Sequence, residues 1–445
     1  MPSRDIIAFL SDGDVLLESG MLPVLLEPDS QRNVLDRVCA DRFTGPVHRV
    51  GSEVFVHTVA GRTPSRPPGE WIAVSGLTAE QATPDELGPA VRSAVVTAAR
   101  QHFGWAPAPP RRPEWYSPGW LDTVDEWIDA ALHSVGRRRT GNSIVTRMWS
   151  LSAIVRVATD SGTVYFKATG GGFDAEPAVT ALLAKRHGEL IPTVLATAGS
   201  GAAGSDDADP RGRGRVWMLL EELSGVQPDQ EPGVALALAP TLADLQARSV
   251  DDLVELRAVG CPDRAAPSVL DGLAMLLHDS LELARLTAEE QALARAAAPR
   301  MAELVHELWA CGLPDTLTHG DLHVGNVAYD GSRVRIFDWT DAAVGHPFLD
   351  AVLLARSAVE QPADPGDGFR LDRDVIDAYL ARWRRHRPHA DVARAMELAV
   401  PVTELYQAIS YEGISRAQED ASRWELEGVV ERFLRRLPEL VDGVG

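Results

Sequence analysis

Three polar side chains in one short stretch have the residue types and the spacing that phosphoryl transfer requires. Asp321 and Asn326 complete the pattern His-x-Asp-x-x-x-x-Asn, and Asp338 ends the apolar run that follows. A carboxylate can orient a hydroxyl and accept its proton, and Mg²⁺ prefers hard oxygen ligands beside phosphates. We therefore expect Asp321 to act as the base, and Asn326 and Asp338 to hold the metal ion.

The pattern begins at His319, and His323 follows four residues later, a spacing that also occurs in zinc-binding helices. That zinc motif requires a helix with glutamate at its second position, whereas Gly320 and Asp321 stand here and Gly325 follows at once. A zinc helix is therefore disfavoured. We expect His323 to be a loop histidine with an ordinary hydrogen bond.

A turn-forming segment at 329–332 lies between two short apolar runs and predicts a β-hairpin. Asn326 immediately precedes the first run, and Asp338 comes shortly after the second. The hairpin would therefore place these two side chains on neighbouring strand ends that face one site.

These residues carry a family resemblance. The segment His319 to Asn326, together with Ile336-Phe337-Asp338-Trp339, resembles the aminoglycoside phosphotransferase family of small-molecule kinases, which are relatives of choline and homoserine kinases. The resemblance covers about residues 121–445. It implies an α+β class: a two-lobed protein-kinase-like fold with a β-rich N-lobe and a helical C-lobe. It also implies that Asp350 braces the catalytic loop, and the alternative for this residue is a helix N-cap.

Lys167 lies near the end of the second of two strand-like runs at 153–168. Only two of the chain's 43 lysines and arginines are lysines, and a compact ammonium suits close contact with phosphates better than a guanidinium fork. We expect Lys167 to bind the α- and β-phosphates of the nucleotide. The alternative is that Lys167 lies on an edge strand and extends its ammonium into water. The resemblance implies Glu176 as its ion-pair partner, with Asp174 as the rival.

The other predicted nucleotide contacts are less distinctive. No glycine-rich loop precedes these strands and no Walker motif occurs, so Ser150 and Ser152 would hold phosphate oxygens, unless they merely end a strand. The segment 216–225 resembles a kinase hinge, which implies that the backbone around Glu222 and Leu223 pairs with adenine. Together these assignments predict ATP or GTP as the phosphate donor, with Mg²⁺.

Composition divides the 445 residues into four parts. We predict a small N-terminal α+β accessory domain at 1–104 and a Pro-rich linker at 105–120. The kinase N-lobe follows at 121–224, and the helical C-lobe, with the catalytic loop and acceptor site, at 225–445. In the accessory domain we expect several short strands, one of them at 21–26, and helices near 31–42 and 89–102. This domain could cap the kinase, bind an effector or mediate a dimer.

The charge balance bears on the acceptor substrate. The net charge is −21, and residues 225–445 hold 37 acidic residues against 21 arginines. An acidic field concentrates a cation, such as an aminated sugar or an aminoglycoside-like molecule, and repels nucleic acid and anionic membranes. The alternative is an ordinary solvated acidic surface. The candidates for acceptor contacts lie on one predicted helix and are Glu404, Tyr406, Gln407, Tyr411 and Glu412.

The same residues disfavour two other classes of protein. A protein kinase is disfavoured because Asp338-Trp339-Thr340 replaces Asp-Phe-Gly and no Ala-Pro-Glu segment follows. A non-catalytic nucleotide-binding scaffold is disfavoured because Lys167 and the three catalytic-loop residues are all present. Choline, homoserine or a macrolide stay possible acceptors.

Three well-separated cysteines and the lack of a long apolar run lead us to expect a cytoplasmic protein.

Overall fold

The computed structural model describes residues 4–11, 14–20, 42–44, 47–50, 54–61, 72–73, 89–198, 215–223, 233–361 and 369–443. The chain divides into two compact units, and each is described by itself. The first unit comprises Met1–Gly172, Gly201–Glu221 and Ala417–Glu425. The second comprises Phe173–Ser200, Glu222–Arg416 and Leu426–Gly445.

The described strands, in chain order, are β1 Arg4–Ser11, β2 Asp14–Gly20, β3 Arg42–Thr44, β4 His48–Val50, β5 Val54–Gly61, β6 Ile72–Ala73, β7 Ile144–Met148, β8 Ser152–Thr159, β9 Gly162–Thr169, β10 Val194–Ala198, β11 Trp217–Glu221, β12 Asp263–Arg264, β13 Thr316–Thr318, β14 Val327–Tyr329, β15 Val334–Ile336 and β16 Ala343–Gly345.

The described α-helices are α1 Pro89–His102, α2 Trp120–Ser134, α3 Glu176–Arg186, α4 Val234–Ser249, α5 Leu253–Ala258, α6 Ala266–Asp279, α7 Ala288–Trp309, α8 Phe348–Ser357, α9 Arg373–His386, α10 Val392–Ala417 and α11 Val429–Asp442.

The first unit begins with a small α+β module. Its strands follow the order β3-β5-β1-β2-β6, with β4 also paired to β5. Strand β1 runs antiparallel to β2 and parallel to β5. Helix α1 confirms the helix predicted near 89–102. The strand predicted at 21–26 and the helix predicted near 31–42 lie outside the described residues, apart from Arg42 at the start of β3.

The second sheet region of this unit positions Lys167. Strands β11, β9, β8 and β7 are consecutive antiparallel neighbours, and β8 and β9 confirm the two predicted strands. Phe166 of β9 and Trp217 of β11 pack edge-to-face with each other and with Trp127 of α2. Because side chains alternate along a strand, Lys167 points to the opposite face from Phe166, where it is buried.

A C-terminal segment, Ala417–Glu425, packs within the first unit. Glu419 forms a buried ion pair with Arg112 at 2.8 Å, and the Gln418 amide donates to the Ser150 hydroxyl at 2.6 Å. The Ser150 hydroxyl in turn donates to Glu425. The Pro-rich stretch around Arg112 is therefore tied to the same unit as the strands that follow it.

Strand pairing in the second unit brings two distant loops together. Strand β13, which leads into His319, pairs antiparallel with β16 through Thr318 and Ala343. Strands β14 and β15 form the predicted hairpin, with Val327 opposite Ile336. The segments 319–326 and 337–342 are therefore held side by side, and a large apolar core formed by the surrounding helices supports them.

Apolar residues at three- and four-residue spacing predict helices over 281–308 and 393–437, and both predictions need correction. The first helix begins only at Ala288, because Thr287 and Glu290 form a reciprocal capping box there. The second run is divided into two helices: α10 ends at Ala417, and α11 begins after Gly428, whose φ is +87°. A glycine in this conformation marks a break that apolar periodicity alone does not reveal.

The observed elements confirm the predicted α+β class, with a strand-rich region followed by a mainly helical one. The four predicted domain boundaries stay predictions. Within the described parts of the chain, none of the helices combines the length and the apolarity that crossing a bilayer requires.

Candidate active site

The start of the catalytic loop is held by a buried carboxylate. Asp350, inside α8, accepts hydrogen bonds from the backbone N–H groups of His319 at 2.7 Å and Gly320 at 2.9 Å. Burial raises the pKa of Asp350, whereas these two hydrogen bonds favour its charged form. The bracing role is confirmed, and the N-cap alternative is wrong because Pro347 occupies the cap position of α8.

A second layer of hydrogen bonds fixes Asp350 itself. The Gln246 amide donates to the Asp350 carboxylate at 3.1 Å, and the Tyr379 hydroxyl donates to the Gln246 side-chain oxygen at 2.6 Å. All three side chains are buried. The signal of this role in the sequence is a polar residue on the mainly apolar buried face of helix α4.

His319 contacts both segments of the site, 319–326 and 337–342. Its Nε2 lies 3.0 Å from the carbonyl oxygen of Phe337, so the ring donates its Nε2–H there, and its Nδ1 lies 3.4 Å from the backbone N–H of Asp321. The ring also packs on Trp339, with ring centres 4.7 Å apart. His319 therefore positions the backbone on both sides of the site.

Asn326 is oriented by the loop it ends. Its Nδ2 donates to the backbone oxygen of Asp321 at 3.0 Å, and its own backbone oxygen accepts from the N–H of Phe337 at 3.0 Å. With Nδ2 used in this way, the side-chain oxygen is the atom that Asn326 can offer to a cation.

Asp338 has an unusual backbone conformation, with φ of 65°. Residues other than glycine rarely adopt this region, and strain of this kind is typical of functional sites. The Thr340 hydroxyl donates to the Asp338 Oδ1 at 2.9 Å. The strained backbone points the side chain in a direction that an ordinary strand end would not allow.

The Asp321 carboxylate is about half exposed and makes no hydrogen bond within the described residues. His323 accepts the Gly325 N–H on its Nδ1 at 3.0 Å, which confirms the predicted loop hydrogen bond. Its Nε2 lies 3.8 Å from the Asp321 Oδ2, too far for a hydrogen bond. Asp321 is thus held by its backbone, and its carboxylate remains available to a hydroxyl.

The donors present suit magnesium better than zinc. Within the part of the chain that the structure describes, no group of three or more His, Cys, Asp or Glu side chains could hold a metal ion. Mg²⁺ is commonly bound through one or two protein oxygens, with phosphate oxygens and waters completing its shell. The amide oxygen of Asn326 and the carboxylate of Asp338 fit that requirement.

Two of the predicted acceptor residues lie beside the catalytic loop. The Gln407 amide donates to the backbone oxygen of Gly320 at 2.8 Å. Burial raises the pKa of Tyr411 to about 12, and the charges of Asp321 and Asp341 act in the same direction. Gln407 and Tyr411 are four residues apart on α10, so both belong to the helix face that meets the loop.

The other three predicted acceptor residues have contacts elsewhere in the second unit. Glu404 pairs with Arg356 at 3.2 Å, and the carboxylate of Glu412 is fully buried and accepts from Ser280 at 2.8 Å. Tyr406 is fully buried, with the Arg264 guanidinium 5.1 Å from its ring centre. Contact with the acceptor stays a prediction for all five candidates.

The predicted nucleotide residues are placed within their own units. Ser150 and Ser152 are buried; Ser150 is engaged as described above, and Ser152 accepts from the Trp149 ring at 2.8 Å. Glu176 is buried at the start of α3, whereas Asp174 is exposed. Glu222 and Leu223 directly follow β11. Their nucleotide contacts, and that of Lys167, stay predictions.

Gly320→Ala is expected to be far more damaging than Gly331→Ala, its matched control. Both glycines have left-handed φ, +81° and +88°, so alanine costs about 1–2 kcal/mol at either position. A Cβ at Gly320 would also lie 2.3 Å from the backbone oxygen of Asp341, whereas nothing lies within 4 Å at Gly331. Thermal unfolding and kcat should separate the two variants, and equal losses would show that the close contact is unimportant.

Comparison with known proteins shows the family to which the chain belongs. The phosphotransferase enzyme family model matches residues 155–389, so the chain belongs to that family. It is a small-molecule phosphotransferase of the kinase-like type, as predicted. No curated protein sequence matches the chain significantly.

Solved structures similar to this chain include three small-molecule kinases. Choline kinase LicA from Streptococcus pneumoniae is 10% identical, with a TM-score of 0.46, and the match covers 72% of this chain and 99% of that one. A choline/ethanolamine kinase family protein from Mesorhizobium loti is 17% identical, with a TM-score of 0.40 and the same coverages. A macrolide 2′-phosphotransferase from Brachybacterium faecium is 16% identical, with a TM-score of 0.44, covering 68% and 98%.

Proposed function

We propose that this member of the phosphotransferase enzyme family transfers the γ-phosphoryl group of ATP or GTP to a hydroxyl of a small aminated molecule, such as an amino sugar or an aminoglycoside-like compound. The observation that carries the proposal is the contrast at the catalytic loop. Asp350 fixes its backbone, while the Asp321 carboxylate is left without a hydrogen bond among the described residues. That is the arrangement a general base requires.

In the proposed reaction, the acceptor oxygen forms a bond to the γ-phosphorus as the bond to the β–γ bridging oxygen breaks. The acceptor proton moves to a carboxylate oxygen of Asp321, and the nucleoside diphosphate leaves with the bridging oxygen. Asn326 and Asp338 would hold Mg²⁺, which when bound neutralises charge on the phosphates. The contacts of Asp321, Asn326, Asp338 and His319 described above support this assignment.

The nucleotide is proposed to contact the residues that the sequence indicated. Lys167 would bind the α- and β-phosphates, with Glu176 as its ion-pair partner, and Ser150 and Ser152 would lie near the phosphates. The backbone around Glu222 and Leu223 would bind adenine. The burial of Lys167 on β9 supports the first assignment, because a buried ammonium requires anionic neighbours.

The aminated acceptor is supported by the acidic composition of the predicted C-lobe and by the carboxylates near Tyr411. We further propose a cytoplasmic enzyme that binds neither nucleic acid nor membranes, with the accessory domain as a possible dimer contact. Choline, homoserine and macrolides are the rival acceptors, and a non-catalytic nucleotide-binding role is the rival class.

A screen of nucleotide consumption tests the proposal. Purified protein with ATP or GTP and Mg²⁺ would be supplied with amino sugars, aminoglycosides, choline, homoserine and macrolides in turn. We expect turnover with an aminated sugar or aminoglycoside. Turnover only with choline, homoserine or a macrolide would replace the proposed acceptor class, and nucleotide binding without any turnover would favour the non-catalytic role.

Lys167→Arg is expected to raise the KM for ATP or lower kcat at least severalfold. The change conserves charge but replaces a compact ammonium with a planar fork that needs more room beside the triphosphate. Lys185→Arg is the matched control, because Lys185 is the other lysine of the chain and is exposed at the end of α3. Near-wild-type ATP kinetics for both variants would show that Lys167 is an ordinary strand residue.

A further inference from the structure

The turn between β7 and β8 is attached to the C-terminal segment Ala417–Glu425. The Gln418 amide donates to the Ser150 hydroxyl at 2.6 Å, and that hydroxyl donates to the carboxylate of Glu425. Gln418 and Ser150 are each 4% exposed. Because these two residues lie 268 positions apart in the chain, the attachment is a product of the tertiary fold.

These hydrogen bonds use the proton of the Ser150 hydroxyl. While the hydroxyl donates to Glu425, it cannot also donate to a phosphate oxygen. The backbone of the turn is not used in this way. Within the described residues, the N–H groups of Ser150 and Leu151 donate to no acceptor, although both residues are buried. Because buried backbone donors are nearly always paired, these two N–H groups are suited to an anionic oxygen.

The turn lies at the end of the strand pair that carries Lys167. Ile154 of β8 pairs with Lys167 of β9, and the turn precedes Ile154 by a few residues. The N–H of Gly170, just beyond β9, donates to the backbone oxygen of Leu151 at 3.0 Å. The turn and Lys167 therefore belong to the same end of one strand pair, where both can serve one triphosphate.

An ion pair fixes the segment at the residue that follows Gln418. Glu419 accepts a hydrogen bond from the Arg112 guanidinium at 2.8 Å, and the side chains of this pair are 5% and 0% exposed. Arg112 also donates to the side-chain oxygen of Gln101 in α1 at 2.9 Å. Charge-assisted hydrogen bonds of this kind are strong and geometrically specific. Glu419 therefore determines where Gln418 meets the turn.

The hairpin itself is closed by contacts that do not involve the segment. The N–H of Trp149 donates to the backbone oxygen of Ser152 at 3.0 Å, and the Trp115 ring donates to the backbone oxygen of Trp149 at 2.7 Å. Loss of the hydrogen bond from Gln418 should therefore leave β7 paired with β8. It should change only how firmly the two residues of the turn are held.

We propose that Gln418 is a positioning residue for nucleotide binding, which acts through Ser150 to hold the β7–β8 turn so that its backbone N–H groups bind a phosphate oxygen. Glu419 anchors Gln418 in this role. The inference rests on the proposed function and assigns the C-terminal segment a part in nucleotide affinity. It predicts an effect on ligands that carry phosphates and none on ligands that lack them.

The test compares a nucleoside triphosphate with its nucleoside in wild type and in Gln418→Ala. Calorimetry gives the dissociation constants of ATP and adenosine, or of GTP and guanosine if GTP binds more tightly. We expect the variant to bind the triphosphate about 3- to 10-fold more weakly, because a neutral hydrogen bond contributes about that factor. The affinity for the nucleoside should change less than about twofold, because the nucleoside has no phosphate for the turn to bind.

Two further variants make the result specific. In Ser150→Ala the amide of Gln418 has no hydroxyl to bind, so adding Gln418→Ala should weaken triphosphate binding no further. Asp420→Ala is the matched control, because Asp420 is exposed in the same segment and pairs with Arg423 there at 2.9 Å. The control should leave both dissociation constants unchanged, and thermal unfolding would verify that each variant is folded.

Three outcomes would overturn the inference. Unchanged triphosphate binding in Gln418→Ala would show that the segment does not position the turn. Equal losses for triphosphate and nucleoside would show a general effect on folding, and additive losses in the double variant would show that Gln418 does not act through Ser150. Failure of the wild type to bind either nucleotide would refute the proposed function as well, so the two failures are distinguishable.

Discussion

Asp321→Asn is expected to lower kcat by about 10²–10⁴ while nucleotide affinity and folding stability stay near their wild-type values. The reason is that the side chain of Asp321 makes no hydrogen bond within the described residues, whereas its backbone is held on both sides by His319 and Asn326. The substitution keeps these backbone contacts and the shape of the side chain. It removes the negative charge and with it the capacity to accept a proton.

The measurement combines steady-state kinetics with the best acceptor, calorimetric nucleotide binding and thermal unfolding. Asp330→Asn is the control for loss of one negative charge nearby, since Asp330 is exposed on the hairpin turn. If Asp321→Asn keeps more than about a tenth of the wild-type kcat, a difference of only ~1.4 kcal/mol in the barrier, Asp321 is not the base.

The local structure around 319–338 could be predicted from the sequence because it depends on short spacings. Asp321 and Asn326 lie within one short loop, and the turn residues of the hairpin determine how Asp338 returns to them. Such features depend on residue types at fixed short spacing. The strands β8 and β9 and the helix α1 were predictable for the same reason.

The supports of the loop could not be predicted, because they depend on tertiary packing. Gln246 meets Asp350 across 104 positions of the chain, and Gln407 meets Gly320 across 87. The periodicity of a single segment does not predict a contact between residues so far apart in the chain.

The sequence also does not predict the contacts of the acceptor candidates, although they lie on one helix. Helical spacing indicates that Gln407 and Tyr411 share a face, but it does not reveal what each side chain contacts. Glu412 binds Ser280 and Arg416 in a fully buried position, and Glu404 pairs with Arg356. Loss of either carboxylate would leave a hydrogen-bond partner unsatisfied, so stability must be measured before any acceptor role is inferred from their variants.

Asp338→Asn is expected to reduce turnover at least about 100-fold and to raise the Mg²⁺ concentration required for activity. Asparagine adopts left-handed backbone more readily than other non-glycine residues, and its side-chain oxygen can still accept from Thr340. The variant should therefore keep the local structure that Asp338→Ala would lose. What it removes is the charge of a proposed metal ligand, and changes to groups that merely support such ligands already cost about 10–100-fold.

Metal titrations separate this prediction from a general loss of activity. Turnover would be measured against Mg²⁺ at fixed nucleotide, and Mn²⁺ binding to the protein–nucleotide complex would be followed by electron paramagnetic resonance. Asp338→Asn should weaken Mn²⁺ binding, whereas Asp321→Asn should leave it nearly unchanged, because the proposed base would contact the acceptor hydroxyl and not the metal. If both variants bind Mn²⁺ as wild type does, Asp338 is not a metal ligand, and its left-handed backbone serves another purpose at the site.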